Sequence, residues 1–162
     1  MALMNFMEVE GAPGDANDSA HKNWCDIEPF DISVSHTGTY AVGGGGGSGG
    51  ADLHDLSIQA LIDKAYPVIF NMMCTGHIVP KVTLHRSVMS NKKSIPVDTV
   101  KLTKVKFTSV GMGSGKSSDG LPMVTYGITF EQFEVGNTAI DGAGNAKAAV
   151  MGGWNAATNK KV

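Results

Sequence analysis

The sequence predicts a mainly β protein, a compact antiparallel β-barrel or sandwich with one short α-helix. Apolar residues recur at every second position in several segments, which is the spacing at which the side chains of a strand alternate between two faces. In two long segments this alternation changes parity, as it does where a strand bends around a barrel. A length of 162 residues suits one domain, so we expect a single domain over residues 1–162.

The first predicted strand runs from Ile27 to Ser35. Its apolar face carries Phe30, Ile32 and Val34. Its polar face carries Asp31, Ser33 and Ser35. This alternation is typical of a half-buried strand in an antiparallel sheet, so we expect the polar face to meet water or a partner.

A second strand is predicted over His54–Asp63 and a third after Pro80, with Val82 and Leu84 on one face. The inward positions of the second strand are Leu56, Ile58, Ala60 and Ile62. Its outward positions are Asp55, Ser57 and Gln59. A register slip by one residue would bury the charge of Asp55, so the pattern defines which face is inside.

Two further strands are predicted over Lys101–Val110 and Met123–Val135. In the earlier one, Val100 and Leu102 have one parity and Val105 and Phe107 the other. In the later one, Val124, Tyr126, Ile128 and Phe130 have one parity and Phe133 and Val135 the other. Two changes of parity favour a closed, curved sheet whose strands turn a corner at a bulge or bend.

A single helix is predicted over Pro67–Cys74, where apolar residues occur without alternation. Pro67 suits the first helical position, and Gly76 suits the left-handed residue after the helix. Its apolar side chains predict that the helix packs on the barrel or plugs it.

Two glycine-rich stretches, residues 43–50 and 111–120, are predicted to be loops. Glycine loses more backbone freedom on ordering than any other residue, so we expect neither stretch to form a stable strand. In an assembly, a neighbouring subunit could order such loops.

Composition excludes several function classes. The net charge of −2 provides no positive field for nucleic acid, and no apolar run approaches the length of a membrane span. Residues 1–10 lack the pattern of a secretory signal. Cys25 and Cys74 form no metal-binding motif with the histidines. We interpret both as small buried hydrophobic residues in a reducing cytoplasm, while a Cys25–Cys74 disulfide stays an open alternative.

No motif predicts catalysis or a cofactor. The segment Gly111–Ser117 ends like a phosphate-binding loop, but Val110 occupies the position of its first glycine, and no helix is predicted after it. No serine or histidine lies in a nucleophile motif, so we predict no enzyme, no cofactor and no metal.

We expect the histidines to be exposed or hydrogen-bonded structural residues. We interpret the lysines at 101, 104 and 106 as a strand edge that blocks unwanted pairing. The tryptophans at 24 and 154 are predicted to anchor the terminal segments.

The order of these features resembles the haemolysin-coregulated protein (Hcp) family of type VI secretion systems along essentially the whole chain. The similar segments, in order, are Gly11, Asp18, His21 and Trp24; Val34–Ser35; Gly43–Gly50; Leu61–Ala65 with Pro67; Cys74–Gly76; Thr108–Val110; Ile128–Phe130; Gly153–Asn155; and Asn159–Val162. The order and spacing of these segments carry the resemblance.

The resemblance implies a structural subunit that forms hexameric rings. These rings would stack into a hollow tube inside a contractile sheath, together with spike and baseplate proteins. The tube would assemble in the cytoplasm, be secreted without a signal peptide, and carry and protect small effector proteins in its lumen. It implies no nucleic acid partner and no membrane insertion. Val162 follows directly on the family's closing motif, so we expect no fused toxic domain.

The resemblance also assigns candidate contact residues. Where family members often have an aromatic-Ser-Trp-Gly run, this chain has Phe30, Asp31, Ile32 and Ser33. The lumen and effector-contact candidates are Asp31, Ser33 and Ser35. The ring-stacking candidates are Gly43, Gly44, Gly45, Gly46, Gly47, Ser48, Gly49 and Gly50. The alternative functions are a monomeric ligand- or carbohydrate-binding β-barrel and a secreted effector of the same fold.

Overall fold

The computed structural model describes residues 2–39, 47–116 and 120–162. In chain order, the described elements are β1 (Leu3–Val9), β2 (Cys25–Ile27), β3 (Val34–Thr39), β4 (Gly47–Leu53), β5 (Leu56–Leu61), α1 (Ala65–Thr75), β6 (Ile78–Ser90), β7 (Lys93–Lys116), β8 (Pro122–Asn137), β9 (Val150–Asn155) and β10 (Lys160–Lys161). No helix in these ranges is both long and apolar enough to cross a bilayer.

Six antiparallel strands close a barrel in the order β8-β5-β2-β1-β6-β7, because β7 also pairs with β8. The second half of β8, residues 132–137, pairs with β7 on one side and with β9 on the other. Strands β9 and β10 therefore continue the sheet beyond the barrel. The predicted fold class, an antiparallel β-barrel with one helix, is confirmed.

Apolar side chains fill the barrel. Its largest fully buried residues include Met7, Ile58, Leu84, Leu102, Tyr126 and Ile128. Small barrels are filled by their inward-facing side chains in this way. The interior is therefore a packed core, and recognition of other molecules falls to the outside.

The predicted strand around Ile58 is confirmed as β5, whose residues alternate between buried and exposed from Leu56 to Ala60. Ile62 was predicted to point inward, but it lies beyond the end of β5 and is 36% exposed. The strand after Pro80 is confirmed within β6, where Val82 and Leu84 are buried.

The predicted change of parity in β7 is confirmed and has a local cause. Lys104 has a φ of 52°, so its backbone turns in the left-handed region and shifts the alternation by one position. Leu102 and Val105 consequently both point into the core. In β8, Phe130 is buried and Phe133 packs against the same core.

The interpretation of the lysines in β7 as a strand edge is wrong. β7 pairs with β6 on one side and with β8 on the other over Lys101–Lys106. Lys101 is half-buried, and Lys104 and Lys106 are exposed on the outer face. Lys104 Nζ lies 3.2 Å from Glu131 Oε1. In a closed barrel, both edges of a strand pair with neighbouring strands. The lysines therefore place their charged groups on the outer face, where they meet water.

The predicted strand over Ile27–Ser35 is broken. Only Cys25–Ile27 and Val34–Thr39 are strands. Pro29 has no N–H to donate, and the carbonyl oxygen of Phe30 accepts a hydrogen bond from Arg86 Nη2 at 2.9 Å. The backbone between the two strands is therefore held at single points, at Glu28 by the Gln59 carbonyl oxygen of β5 and at Phe30 by the Arg86 side chain. Phe30 is nevertheless buried, as the alternation predicts, whereas Val34, predicted on the same apolar face, is exposed.

The single predicted helix is confirmed, but it begins two residues before Pro67. The Ala65 N–H donates to Asp63 Oδ1 at 3.0 Å, which satisfies a backbone donor at the helix start. Pro67 then lies in the first turn, where its missing N–H costs nothing. Gly76 ends the helix with a φ of 66°. Ala65 and Ile69 pack on the core, as expected.

Where the structure describes them, the glycine-rich stretches are strands except at Gly120, which lies in a bend. Residues 47–50 begin β4, and residues 111–116 end β7. The prediction of loops is wrong there, because an antiparallel partner supplies the hydrogen bonds that offset the entropy cost of ordering glycine. Residues 43–46 and 117–119 lie outside the described residues. Both cysteines are free thiols, so the alternative of a disulfide is not realised. The prediction that both are buried is confirmed for Cys25 and wrong for Cys74, which is exposed near the end of α1.

Two adjacent glycines in β9 provide a matched test of how β9 packs on β8. A Cβ on Gly153 would lie 2.5 Å from the Phe133 carbonyl oxygen, whereas a Cβ on Gly152 would meet nothing within 4 Å. We expect Gly153→Ala to lower the free energy of unfolding by about 2 kcal/mol, because the backbone must shift to admit the methyl group. Gly152→Ala should change it by less than about 0.5 kcal/mol. Urea denaturation of both variants measures this, and equal effects would contradict the close approach.

Candidate interaction surfaces

The β3–β4 ribbon, residues 34–39 and 47–53, is a separate two-stranded sheet outside the barrel. Within the described residues, no barrel strand pairs with either of its strands. Leu53 packs against the core, and the His54 N–H donates to the Ser33 carbonyl oxygen at 3.4 Å. Because a lone two-stranded sheet is marginal in water, this ribbon is suited to being covered by another molecule.

The three lumen candidates are all exposed and lie where the chain leaves the barrel for the ribbon. Asp31 lines a cleft of about 270 Å³ together with Ile32, Val135 and Gly136. Ser35 Oγ and His54 Nε2 are 2.9 Å apart and share a hydrogen bond. Asp31 and Ser33 thus present polar groups to the outside, while the Ser35 hydroxyl is already engaged.

Arg86 on β6 positions this polar segment. Its Nη1 donates to Asp98 Oδ2 at 3.0 Å, its Nη2 donates to the Phe30 carbonyl oxygen, and its guanidinium carbon lies 5.1 Å from the centre of the Phe30 ring. Asn137 Nδ2 donates to the other Asp98 oxygen at 2.8 Å. Sequence reasoning missed Arg86, because its partners lie far away in the chain and form no motif.

A histidine pair holds residues 12–24 against the barrel. His21 is fully buried; its Nδ1 lies 2.6 Å from Asp18 Oδ2, and its Nε2 lies 2.9 Å from His85 Nδ1. The His21 ring stacks on Phe6 with centroids 4.3 Å apart, and Trp24 packs over His85 at 4.6 Å. The predicted structural role of these histidines and the anchoring role of Trp24 are confirmed.

Charge and burial shift the acidities in this cluster, here called the histidine latch (Asp18, His21, His85). Burial, then His21 and Lys101, lower the pKa of His85 to about 4. Burial acts to raise the pKa of Asp18, but hydrogen bonds from His21 and the Ala20 N–H lower it overall. The latch therefore places a carboxylate with a lowered pKa, Asp18, in the same cluster as His85, whose burial opposes protonation.

Strands β9 and β10 form a second outer surface. Val150 and Met151 are 77% and 46% exposed, and among the described residues β10 pairs only with residues 154 and 155 of β9. Exposed apolar residues on an unpaired edge are typical of a strand that meets another chain.

Across the described ranges, no three His, Cys, Asp or Glu side chains are placed to hold a metal ion. Lys116 ends a strand, which is not the context of a phosphate-binding loop.

Comparisons with known proteins agree with this architecture. The family model described as "Type VI secretion system effector, Hcp" matches residues 6–136. A solved structure of a type six secretion system protein superposes with a TM-score of 0.88 at 22% identity, covering 99% of this chain and 100% of that one. A crystal structure of Hcp1 from Salmonella typhimurium gives 0.78 at 18% identity, covering 100% of both chains. A type VI secretion system effector from Yersinia pestis gives 0.69 at 18% identity, covering 93% and 98%. A comparison with curated protein sequences gives no match.

Proposed function

Because the chain belongs to the Hcp family of type VI secretion proteins, we propose that it is a structural subunit of the secretion tube. Six copies form a ring, the rings stack into a hollow tube that is secreted, and small effectors travel in the lumen. The observation that carries this proposal is the closed barrel with a filled interior, flanked by a ribbon and by strand edges that meet no other strand in the described parts.

The filled interior favours this function over a monomeric ligand-binding barrel. Barrels that hold a ligand keep a cavity at their centre, whereas Met7, Ile58 and Tyr126 are at most 1% exposed here. A ring requires heterologous contacts that close on themselves, and unpaired strand edges can supply them. We therefore assign a structural rather than a catalytic role.

The mass of the purified particle tests the proposal. Multi-angle light scattering should give six times the 16.9 kDa subunit mass, at protein concentrations where a monomeric barrel would keep the mass of one subunit. A single-subunit mass at high concentration would refute the ring. Electron microscopy of the same sample then shows whether the particles are rings or stacked tubes.

Asp31 is proposed to face the lumen and to favour cargo with basic or hydrogen-bond-donating patches. In a ring, the exposed Asp31 carboxylate would be repeated by symmetry around the channel. We expect Asp31→Arg to reduce retention of the native cargo about tenfold, because the ring of negative charge becomes positive. A pull-down of cargo measures this, with Asp55→Arg as an exposed control outside the segment. Unchanged retention would remove Asp31 from cargo recognition.

The glycine-rich stretch 43–50 is proposed to contact the neighbouring ring. Since no barrel strand pairs with the ribbon in the described residues, deleting residues 43–50 should leave the melting temperature of the barrel within a few degrees of the parent. The deletion should weaken stacking between rings, which sedimentation of assembled tubes measures. Because the eight residues are already a Gly/Ser run, replacing them with an Ala/Gln segment of equal length keeps the length of the segment and changes its composition. A deletion that polymerises as readily as the parent would make the segment a spacer only.

A further inference from the structure

The barrel wall has a seam at β2, which is only three residues long. β1 pairs with β2 from Asn5 to Met7 and no further. The Glu28 N–H donates to the Gln59 carbonyl oxygen at 2.8 Å, so the chain after β2 stays with β5 and diverges from Leu3 and Met4. A cleft of about 380 Å³ opens between them.

The lining of this seam cleft combines negative charge with apolar walls. Asp26 and Glu28 contribute carboxylates, and neither has an ion pair among the described residues. The side chain of Asn5 also lines the cleft; it is 9% exposed, and its buried Oδ1 accepts no hydrogen bond from the described residues. Leu3, Met4 and Leu61 supply apolar surface. Such a cleft fits a cationic N–H donor on an apolar stem, such as lysine.

A strand of matching chemistry lies at one end of the sheet order. β10 ends the order β10-β9-β8-β5-β2-β1-β6-β7 and pairs only with β9 in the described part. Its Lys160 and Lys161 are exposed, and Val162 after it is 45% exposed. Neither lysine has an ion pair in that part of the chain. The strand therefore offers an unpaired backbone edge, two cations and an apolar side chain.

We propose that the seam cleft of one copy of the chain receives β10 of a second copy. The contact rests on the proposed ring assembly and assigns one of its interfaces. The unpaired edge of β10 runs along Leu3 and Met4, in the manner of a strand added to a sheet. Its lysines meet Asp26, Glu28 and the Asn5 amide oxygen, and Val162 packs on the apolar wall.

This contact is heterologous, because each copy donates β10 from one surface and accepts a neighbour's β10 at another. Repetition of a heterologous contact closes a ring when the rotation between copies allows it and extends a filament when it does not. Burial and the nearby carboxylates of Asp63 and Asp18 raise the pKa of Asp26, and a lysine from a neighbour would offset this repulsion. In a single copy, no cation of the described residues neutralises the negative charge of the cleft.

Reciprocal charge reversal tests the proposal. Glu28→Lys and the pair Lys160→Glu with Lys161→Glu should each weaken self-association about tenfold at low salt, and the combination should restore it to within about threefold of the parent. Sedimentation velocity over a concentration series measures association. Glu8→Lys, an exposed reversal on β1 outside the cleft, is the matched control and should leave association unchanged. Circular dichroism establishes that each variant folds.

The outcomes separate this inference from the proposed function. If the parent assembles and no reversal at the cleft or at β10 affects assembly, the assigned interface is overturned and the tube subunit stands. If Glu28→Lys weakens assembly but the combined reversal does not restore it, the cleft has a different occupant and the assignment of β10 is overturned. A parent that stays a single subunit at high concentration refutes the ring itself.

Discussion

Replacing His21 with alanine is expected to lower the free energy of unfolding by about 3 kcal/mol, which combines the cavity left by a fully buried ring with the loss of its hydrogen bonds. His21 bonds to Asp18 and His85 and stacks on Phe6. It also fixes the turn of residues 18–24, because the Trp24 N–H donates to its carbonyl oxygen. Urea denaturation followed by tryptophan fluorescence measures the effect.

The control is His36→Ala, because His36 is exposed and its replacement should change the free energy of unfolding by less than about 0.5 kcal/mol. Hydrogen exchange should also show faster exchange in residues 12–24 of the His21 variant, while the amides of β7 keep their protection. If His21→Ala were as mild as His36→Ala, residues 12–24 would be held by the backbone alone, and the histidine latch would have no energetic role.

The parts of the fold that the sequence predicts are those governed by local pattern. The alternation around Ile58 identifies β5 because one face of that strand is buried and the other is exposed. Gly76 identifies the end of the helix, because few other residues adopt a left-handed backbone without strain. The parity change around Lys104 predicts a bend, and the positive φ of Lys104 accounts for it.

The parts that could not be predicted depend on partners far away in the chain. His21 and His85 are separated by 64 positions, so nothing in the sequence pairs them. Phe30 has the period of a strand, but Arg86, 56 positions away, binds its carbonyl oxygen. Residues 47–50 have the composition of a loop, yet pairing with β3 makes them a strand. In each case, a tertiary contact outweighs a local preference.

The candidate sites also divide into those that a local sequence pattern predicts and those that depend on distant contacts. The alternation placed Asp31 on the polar side, and its exposure agrees with that expectation. No sequence pattern predicts the seam cleft, because it arises where the Glu28 N–H bonds to Gln59 and, among the described residues, Met4 has no strand partner on the β2 side. Since the barrel interior is filled, we expect the residues that carry function to lie on strand edges and at the seam, where sequence patterns are weakest.

Acid is expected to loosen the histidine latch between pH 6.5 and about 4, through His85. The pKa of His85 is near 6.5 in the unfolded chain and about 4 in the folded protein. The unfolded state therefore holds more protons in this window, so the stabilisation is complete above pH 6.5 and is lost as the pH falls to about 4. We expect a loss of about 2 kcal/mol, because the ring is only partly buried and water screens part of the effect.

His85→Gln keeps a hydrogen-bonding side chain beside His21 and removes the titration. The titratable groups that act on His85 are His21, which is bonded to Asp18, and Lys101 on β7. Burial raises the pKa values of Asp26 and Asp63, so these two groups increase the free energy of unfolding as the pH falls, opposite to His85. The parent and the variant must therefore be compared at each pH. Urea denaturation from pH 7.5 to 4 should show the parent losing stability more steeply than His85→Gln. Parallel curves would mean that a positive charge on His85 is accommodated without cost, and that the latch is held by packing of the Phe6 and Trp24 rings rather than by an uncharged His85.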